Sequence, residues 1–331
     1  MKLAVVLFNL GGPDGPEAVQ PFLRNLFSDA AIITLPAPVR LPLAWLIARR
    51  RAPVAREIYG KIGGRSPIVE ETQRQARALE EALSRDGVTA KAFIAMRYWH
   101  PFSDGAAAAV RQFKPDKIVL LPLYPQFSTT TTASSLKDWG RAARKVSLTA
   151  PHDTICCYPD ADGFVRAAAA KIRLAMDGAR RDIGWRLLLS AHGLPRRIIE
   201  RGDPYQAQVE QTAAAIVEEL AMPELEAIVC YQSRVGPLEW IGPATDAEIR
   251  RAGADGKGVI VAPIAFVSEH SETLVELDIE YRHLAEASGV PDYRRAATVG
   301  ADPAFIAALA ALVRRAAAGE TVCGAPSACP L

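Results

Sequence analysis

The sequence predicts an α/β protein with parallel, doubly wound sheets, and three observations support this. Apolar runs of strand length alternate with amphipathic segments of helix length. The apolar runs are rich in Val, Ile and Leu with little polar alternation, which is typical of strands covered by helices on both faces. Short motifs also recur in the same order in the two halves of the chain.

Eight apolar runs are predicted as strands because each is short and ends near glycine, proline or polar residues. They are residues 3–10, 91–97, 117–124, 153–158, 186–190, 225–231, 258–266 and 293–299. Segments with helical periodicity lie between them. The predicted helices are residues 69–84, 104–113, 162–177, 204–220, 271–287 and 303–318.

Three pairs of motifs indicate that the chain repeats itself. IVLLPLY at 118–124 resembles VIVAPIA at 259–265, NLGGP at 9–13 matches AHGLP at 191–195, and MRYWHP at 96–101 matches QSRVGP at 232–237. We therefore predict an internal duplication. Its domains are residues 1–150 and 151–320, followed by a cysteine-containing tail, residues 321–331.

Composition excludes several classes of function. The chain has 331 residues, of which 50% are hydrophobic and 23% charged, as in ordinary globular proteins. A net charge of +2 and the lack of a long basic run argue against nucleic-acid binding. The glycine loop at residues 11–12 matches neither nucleotide-binding fingerprint, so a dinucleotide dehydrogenase is a poor interpretation.

The N-terminal run MKLAVVLF leads into a glycine loop without a cleavage pattern, which favours a buried strand over a signal peptide. No apolar stretch is long enough to span a bilayer. We therefore expect a cytoplasmic protein with reduced or metal-bound cysteines.

In open parallel sheets, ligands bind beyond the carboxyl ends of the strands, so polar residues there are the candidates for function. His192 directly follows the run LLLSA at residues 187–191, which continues the predicted strand 186–190. A single histidine is more often structural than catalytic. The glycine after it, which permits a tight bend beside a large ligand, raises the case for function.

A second candidate is an acidic row. Glu272, Glu276 and Glu280 are spaced i, i+4, i+8, so an α-helix would carry them on one face. The simplest interpretation is that these carboxylates lie on a solvent-exposed helix face. The intervening residues, however, are strongly apolar. Carboxylates on a mostly buried helix usually bind a cation or a proton. Together with His192, and with Glu269 and His270 nearby, they suit Fe(II) or another divalent ion.

Motifs along nearly the whole chain resemble the ferrochelatase family. They are NLGGP at 9–13, YGKIGGRSP at 59–67, RY at 97–98, PLYPQFS at 122–128, SAH at 190–192, QSRVGP at 232–237, WIGP at 240–243 and the run at 263–281. Gly193 and Glu269 stand where many members carry Ser and Asp. Neither change removes a proposed iron ligand.

The resemblance implies two Rossmann-like domains with a porphyrin cleft between them. It implies that Fe²⁺ and protoporphyrin IX are the substrates, that the products are protohaem and protons, and that His192 and Glu272 flank the porphyrin centre. Glu276 and Glu280 would extend the iron site. The resemblance also implies porphyrin contacts at Leu10, Arg51, Tyr59, Ser66, Tyr98, Ser128, Trp240 and Phe266. The protein is expected to be a monomer or a homodimer.

The apolar segment at residues 35–48 precedes three arginines and is too short to cross a bilayer. It is either a buried helix with a basic end or a lip that contacts a membrane or closes over porphyrin. The second alternative predicts peripheral contact with the inner face of the membrane.

Some ferrochelatases hold a [2Fe–2S] cluster, which requires four ligands. Here Cys323 and Cys329 lie in the tail, and Cys156 and Cys157 lie in a predicted strand. Adjacent residues of a strand point to opposite faces, which makes joint ligation awkward. The alternative is reduced thiols on a loose tail.

Two other functions remain open from the residues. One is a chelatase for another tetrapyrrole or metal, such as coproporphyrin with iron, or cobalt insertion. The other is a non-catalytic haem-binding module, although such a protein would not need both an acidic row and a histidine.

Overall fold

The computed structural model describes residues 1–84, 89–234 and 238–323. Within these ranges the chain divides into two compact units, residues 1–156 with 309–323 and residues 157–308. Each unit contains a parallel four-stranded sheet with helices around it, which confirms the predicted α/β class.

The sheet of the first unit has the strand order β2-β1-β3-β4. Its strands are β1 (Lys2–Asn9), β2 (Thr89–Met96), β3 (Lys117–Pro122) and β4 (His152–Thr154). β1 is central, and all its residues after Lys2 are buried. Asn9 pairs with Met96 and Phe8 with Pro122, so the carboxyl ends of three strands meet at one edge.

The helices of the first unit follow the strands in sequence. They are a short 3-10 helix (Pro16–Ala18), α1 (Val19–Phe27), α2 (Ala37–Gly60), α3 (Ile68–Ser84), α4 (Ser103–Phe113) and α5 (Thr132–Lys145). α2 begins after Pro36 and buries small residues such as Ala44 and Ala48, whereas Val39 and Trp45 on it are 55% and 46% exposed. The interpretation of this segment as a buried helix is therefore wrong. None of the described helices is long and apolar enough to cross a membrane.

The sheet of the second unit has the order β6-β5-β7-β8. Its strands are β5 (Trp185–His192), β6 (Glu226–Gln232), β7 (Gly258–Pro263) and β8 (Tyr293–Arg295). In both units the first strand therefore lies between the second and the third, with the fourth at the edge. This shared order is what a duplication would produce, and the duplication itself stays a prediction.

The second unit contains α6 (Asp162–Met176), α7 (Arg196–Glu200), α8 (Tyr205–Leu220), α9 (Thr245–Ala254), α10 (Tyr281–Ala287) and the start of α11 (Pro303–Ala317). The predicted helix at 271–287 is not a single α-helix. Residues Glu272–Glu280 form a π-helix, and α10 continues from it. Its widened turns close with i→i+5 bonds such as Tyr281 N–H to Glu276 O.

Candidate active site

The site lies where neighbouring strands of the second sheet end. β5 ends at His192 and β6 at Gln232, and these two residues are paired in register. β7 ends at Pro263, and the chain then runs through residues 264–271 to the π-helix. Parallel strands end at the same edge, so this edge collects the side chains that follow them.

His192 and Glu272 are in direct contact. The imidazole Nδ1 lies 2.9 Å from Glu272 Oε2, and the two side chains are 38% and 25% exposed. Because a carboxylate accepts hydrogen bonds, Nδ1 carries the proton of this contact. In the neutral imidazole, Nε2 then has the lone pair that can accept a proton.

Glu276 lies beside this pair and is held by several donors. Ser233 N–H donates to its Oε1 at 2.9 Å, and the Tyr281 hydroxyl donates to the same oxygen at 3.1 Å. The Ser233 hydroxyl contacts Glu276 Oε2 at 2.5 Å and Glu272 Oε2 at 3.1 Å. The structure thus brings His192, Glu272 and Glu276 together at one strand edge, and their role with the substrates stays a prediction. The sequence places Ser233 within the motif at 232–237 but indicates no role for it.

The charged groups of the site shift one another's pKa values. Burial raises the pKa of Glu272, but the attraction and hydrogen bond of His192 outweigh it and lower that pKa to about 2. Burial lowers the pKa of His192, and the Glu272 charge outweighs this effect and raises it above the usual value. Burial and repulsion by Glu272 raise the pKa of Glu276. The set therefore combines one ionised carboxylate, one carboxylate that holds a proton more readily, and a base.

His270 adds a second imidazole nearby. It is buried, its Nδ1 lies 3.1 Å from Ser268 O, and its Nε2 has no hydrogen-bond partner among the described residues. Since Nδ1 donates to the carbonyl, Nε2 presents a lone pair, and burial lowers the pKa of the ring. The Phe266 ring lies 4.4 Å from His270 and 6.5 Å from His192, between centroids. This apolar ring therefore lies near both imidazoles.

Two other acidic residues lie differently. Glu269 accepts hydrogen bonds from Arg295 Nη1 at 3.0 Å and from Thr298 N–H at 3.0 Å, so its carboxylate is committed to structure. Burial raises the pKa of Glu269, but Arg295 and these hydrogen bonds lower it overall. Glu280 is exposed at the end of the π-helix, and its role as an iron ligand stays a prediction.

Trp240 packs beside the turn after β5. A Cβ added to Gly193 would lie 2.9 Å from Gln232 O and 3.4 Å from Trp240 Cε3, so glycine permits this close approach. Trp240 Nε1 is buried without a hydrogen-bond partner among the described residues. Its contact with porphyrin stays a prediction.

The other predicted porphyrin contacts belong to the first unit. Tyr59 and Tyr98 are buried in one apolar cluster, against which Leu10 packs. The Tyr98 hydroxyl donates to Asp29 Oδ2 at 2.9 Å. The remaining three are Ser66 (buried), Ser128 (buried) and Arg51 (exposed, 5.8 Å above the Phe27 ring). The porphyrin role of these six residues is untested.

The cysteines lie closer together than expected. β4 ends at Thr154, so Cys156 and Cys157 follow the strand and are not held on its opposite faces, contrary to the prediction. The Sγ atoms of Cys156, Cys157 and Cys323 all lie within 4.8 Å of one another. Cys329 lies outside the described residues. Three thiols at this separation fit metal or cluster binding, with one ligand of a [2Fe–2S] cluster still to be supplied.

Comparison with known proteins agrees with these features. The ferrochelatase family model matches residues 2–317. A ferrochelatase from Caulobacter vibrioides is 58% identical over 315 residues, which cover 95% of this chain and 90% of that protein. One from Phenylobacterium zucineum is 57% identical, covering 98% and 96%, respectively.

Among solved structures, SirB from Bacillus subtilis with Fe³⁺ has a TM-score of 0.53 at 16% identity and covers 96% of this chain and 97% of its own. At this identity the likeness supports the fold alone. The match of the family model over most of the chain, and relatives at this identity, establish that the chain belongs to the ferrochelatase family.

Proposed function

We propose that this chain inserts ferrous iron into protoporphyrin IX, giving protohaem and two protons, with His192 and Glu272 as the reacting pair. Ferrochelatases are metal chelatases of the lyase class, and the family match supports the reaction. The observation that carries the site is the 2.9 Å contact of His192 with Glu272 at the strand ends, beside Glu276.

The reaction needs a base and a cation ligand. Two pyrrole N–H protons must leave, and the porphyrin ring must bend so that its nitrogen lone pairs point at the incoming ion. Nε2 of neutral His192 accepts a proton, and Glu272 binds Fe²⁺ on the metal side of the ring. Oxygen ligands suit transient binding, since they hold this ion less tightly than four porphyrin nitrogens.

Glu276 and Glu280 extend the path of the ion toward Glu272. The contacts of Glu276 with Ser233, which also contacts Glu272, support Glu276 as the next ligand along this path. Leu10, Arg51, Tyr59, Ser66, Tyr98, Ser128, Trp240 and Phe266 are proposed to contact the porphyrin. Phe266 has the strongest support because its ring lies beside His192.

The test is anaerobic Fe²⁺ insertion into protoporphyrin IX, followed by loss of porphyrin fluorescence. We expect His192→Ala to lower kcat about 100-fold or more, since a positioned base contributes this much, while porphyrin binding persists. His283→Ala, at an exposed position of α10, is the matched control and should turn over normally.

Wild-type turnover unaffected by His192→Ala would refute the site. Porphyrin binding without insertion would favour a haem-binding module. Faster insertion into coproporphyrin, or of Co²⁺, would favour the related chelatases.

A [2Fe–2S] cluster bound by Cys156, Cys157 and Cys323, with Cys329 as the fourth ligand, is part of the proposal. The mutual approach of the three described thiols supports it. Protein purified anaerobically should show visible iron–sulfur absorbance that Cys323→Ser removes. The control Cys230→Ser, in the core of the second unit, should retain it. A wild-type spectrum without these bands would contradict the cluster.

Peripheral membrane contact through α2 is also proposed. Its exposed apolar residues include Val39, Leu41 and Trp45, and the partly exposed Arg40 and the exposed arginines at 49–51 lie on the same helix. Apolar and basic side chains together bind anionic lipid surfaces.

A further inference from the structure

Ser233 stands between the two partly buried carboxylates of the site, Glu272 and Glu276. Its hydroxyl lies 3.1 Å from Glu272 Oε2 and 2.5 Å from Glu276 Oε2. Its backbone N–H donates to the other oxygen of Glu276 at 2.9 Å. Two carboxylates that both touch one small hydroxyl have to converge, although like charges at this separation repel.

The backbone of Ser233 is unusual as well. Its φ is +60°, in the left-handed region that residues other than glycine, asparagine and aspartate rarely adopt. This conformation places both the N–H and the hydroxyl of one residue on the same carboxylate. Residues held in such regions cluster at functional sites, where the surrounding structure fixes them.

We propose that Ser233 is a positioning residue that holds Glu272 and Glu276 together as one binding site for a ferrous ion. This inference rests on the proposed chelatase function. A hydroxyl has one proton, so it donates to one carboxylate at a time, and the shorter contact favours Glu276. When an ion occupies Glu276, the hydroxyl turns to Glu272, and the pair stays aligned while the ion passes between them.

The neighbouring contacts explain why another residue does not replace this function. Tyr281 donates to Glu276 Oε1 at 3.1 Å and does not reach Glu272 in any described contact. Gln232 Nε2 lies 3.5 Å from Glu276 Oε2, at the outer limit of a hydrogen bond. Of the hydrogen bonds described, only those of Ser233 link both carboxylates.

The test separates the hydroxyl from the backbone. Ser233→Ala removes the hydroxyl and keeps the strained φ, whereas Ser233→Gly removes the hydroxyl and relieves the strain. Ser147 offers a matched control, since it is an exposed serine in the first unit with φ +52°. The four variants are Ser233→Ala, Ser233→Gly, Ser147→Ala and Ser147→Gly.

Two quantities are measured for each variant. The first is the KM for Fe²⁺ during insertion, determined separately from kcat. The second is the Kd for Co²⁺, measured by calorimetry without porphyrin. We expect both Ser233 variants to raise KM and Kd about 10-fold or more, because loss of a residue that orients metal ligands typically has this effect. The KM for porphyrin should change little, and the Ser147 variants should match wild type in both readouts.

Wild-type Kd and KM in both Ser233 variants would overturn the proposal. Recovery in Ser233→Gly alone would also overturn it, since the role would then be one of backbone conformation. If wild type inserts no iron, the proposed function fails, but the Co²⁺ Kd still decides whether Ser233 organises the two carboxylates.

Discussion

The protonation of His192 and Glu272 is a property of the pair. Neither residue would be unusual alone, but at 2.9 Å each stabilises the charged form of the other. The imidazole therefore loses its proton at a higher pH than a free histidine, and the carboxylate stays ionised at low pH. For a base this means that insertion should slow as pH falls through the raised pKa of His192.

The first prediction concerns this coupling. In an NMR titration of the protein without substrates, the His192 ring should titrate above 6.5, and that of His270 below 6.5, because burial lowers the pKa of His270. Glu272→Gln removes the charge that favours protonated His192, so its midpoint should move down.

Glu224→Gln, at an exposed carboxylate of the second unit, should leave the His192 midpoint unchanged. A His192 midpoint that does not move in Glu272→Gln would mean that the pair is not coupled in solution.

At the scale of elements, the π-helix Glu272–Glu280 positions the acidic residues relative to the ends of the strands. Spacing of four residues predicts a single face on an α-helix, and it is compatible with the wider turn too. In this π-helix, the carboxylates of Glu272 and Glu276 both contact the hydroxyl of Ser233, which directly follows β6. Wide turns of this kind are frequent at functional sites.

Helix packing gives the second prediction. In the second unit, α6 approaches the start of α11 so closely that a Cβ on Gly163 would lie 2.3 Å from Ala304 O and 2.8 Å from Ala308 Cβ. Gly163→Ala should therefore lower the free energy of unfolding by about 1–3 kcal/mol. Urea unfolding measures the change.

Gly105→Ala is the control for this substitution. Gly105 lies in α4 with open space around its Cβ position, so alanine there should stabilise by about 0.5–1 kcal/mol. Equal stability of Gly163→Ala and wild type would show that the two helices separate at little cost.

At the scale of the whole molecule, exposed apolar side chains are concentrated on α2. Val39, Leu41 and Trp45 lie within two turns and are 55%, 50% and 46% exposed. Single exposed apolar residues are normal on a protein surface, but a group of this kind marks a site of interaction. The arginines of the same helix carry positive charge, which anionic lipids attract.

The third prediction is that the protein sediments with phosphatidylserine vesicles in low salt and is released as salt screens the arginines. Leu41→Asp should weaken binding, since it adds negative charge and removes apolar area. Leu174→Asp, at a leucine 64% exposed on α6, is the matched control and should bind like wild type. Wild-type protein that stays in the supernatant in low salt would refute membrane contact.

The sequence by itself determined the fold class, and it singled out candidate site residues that the structure brings together. Unbroken apolar strands can be stable only between two layers of helices, so the α/β class followed from the composition of those runs. His192 is the last residue of its strand, and parallel topology placed it at the edge where open parallel sheets bind ligands. The acidic residues were recognisable because carboxylates are costly to bury among Leu and Val without a function.

Tertiary structure alone decided the rest. The spacing of the acidic residues is compatible with an α-helix and with a π-helix, so it did not distinguish the two. The approach of Cys323 to Cys156 and Cys157 depends on pairing between segments distant in the chain. The role proposed for Ser233 depends on a positive φ and on carboxylates some forty residues away, so no local pattern predicts it. Contacts of this kind are long-range, and only the packed fold brings their partners together.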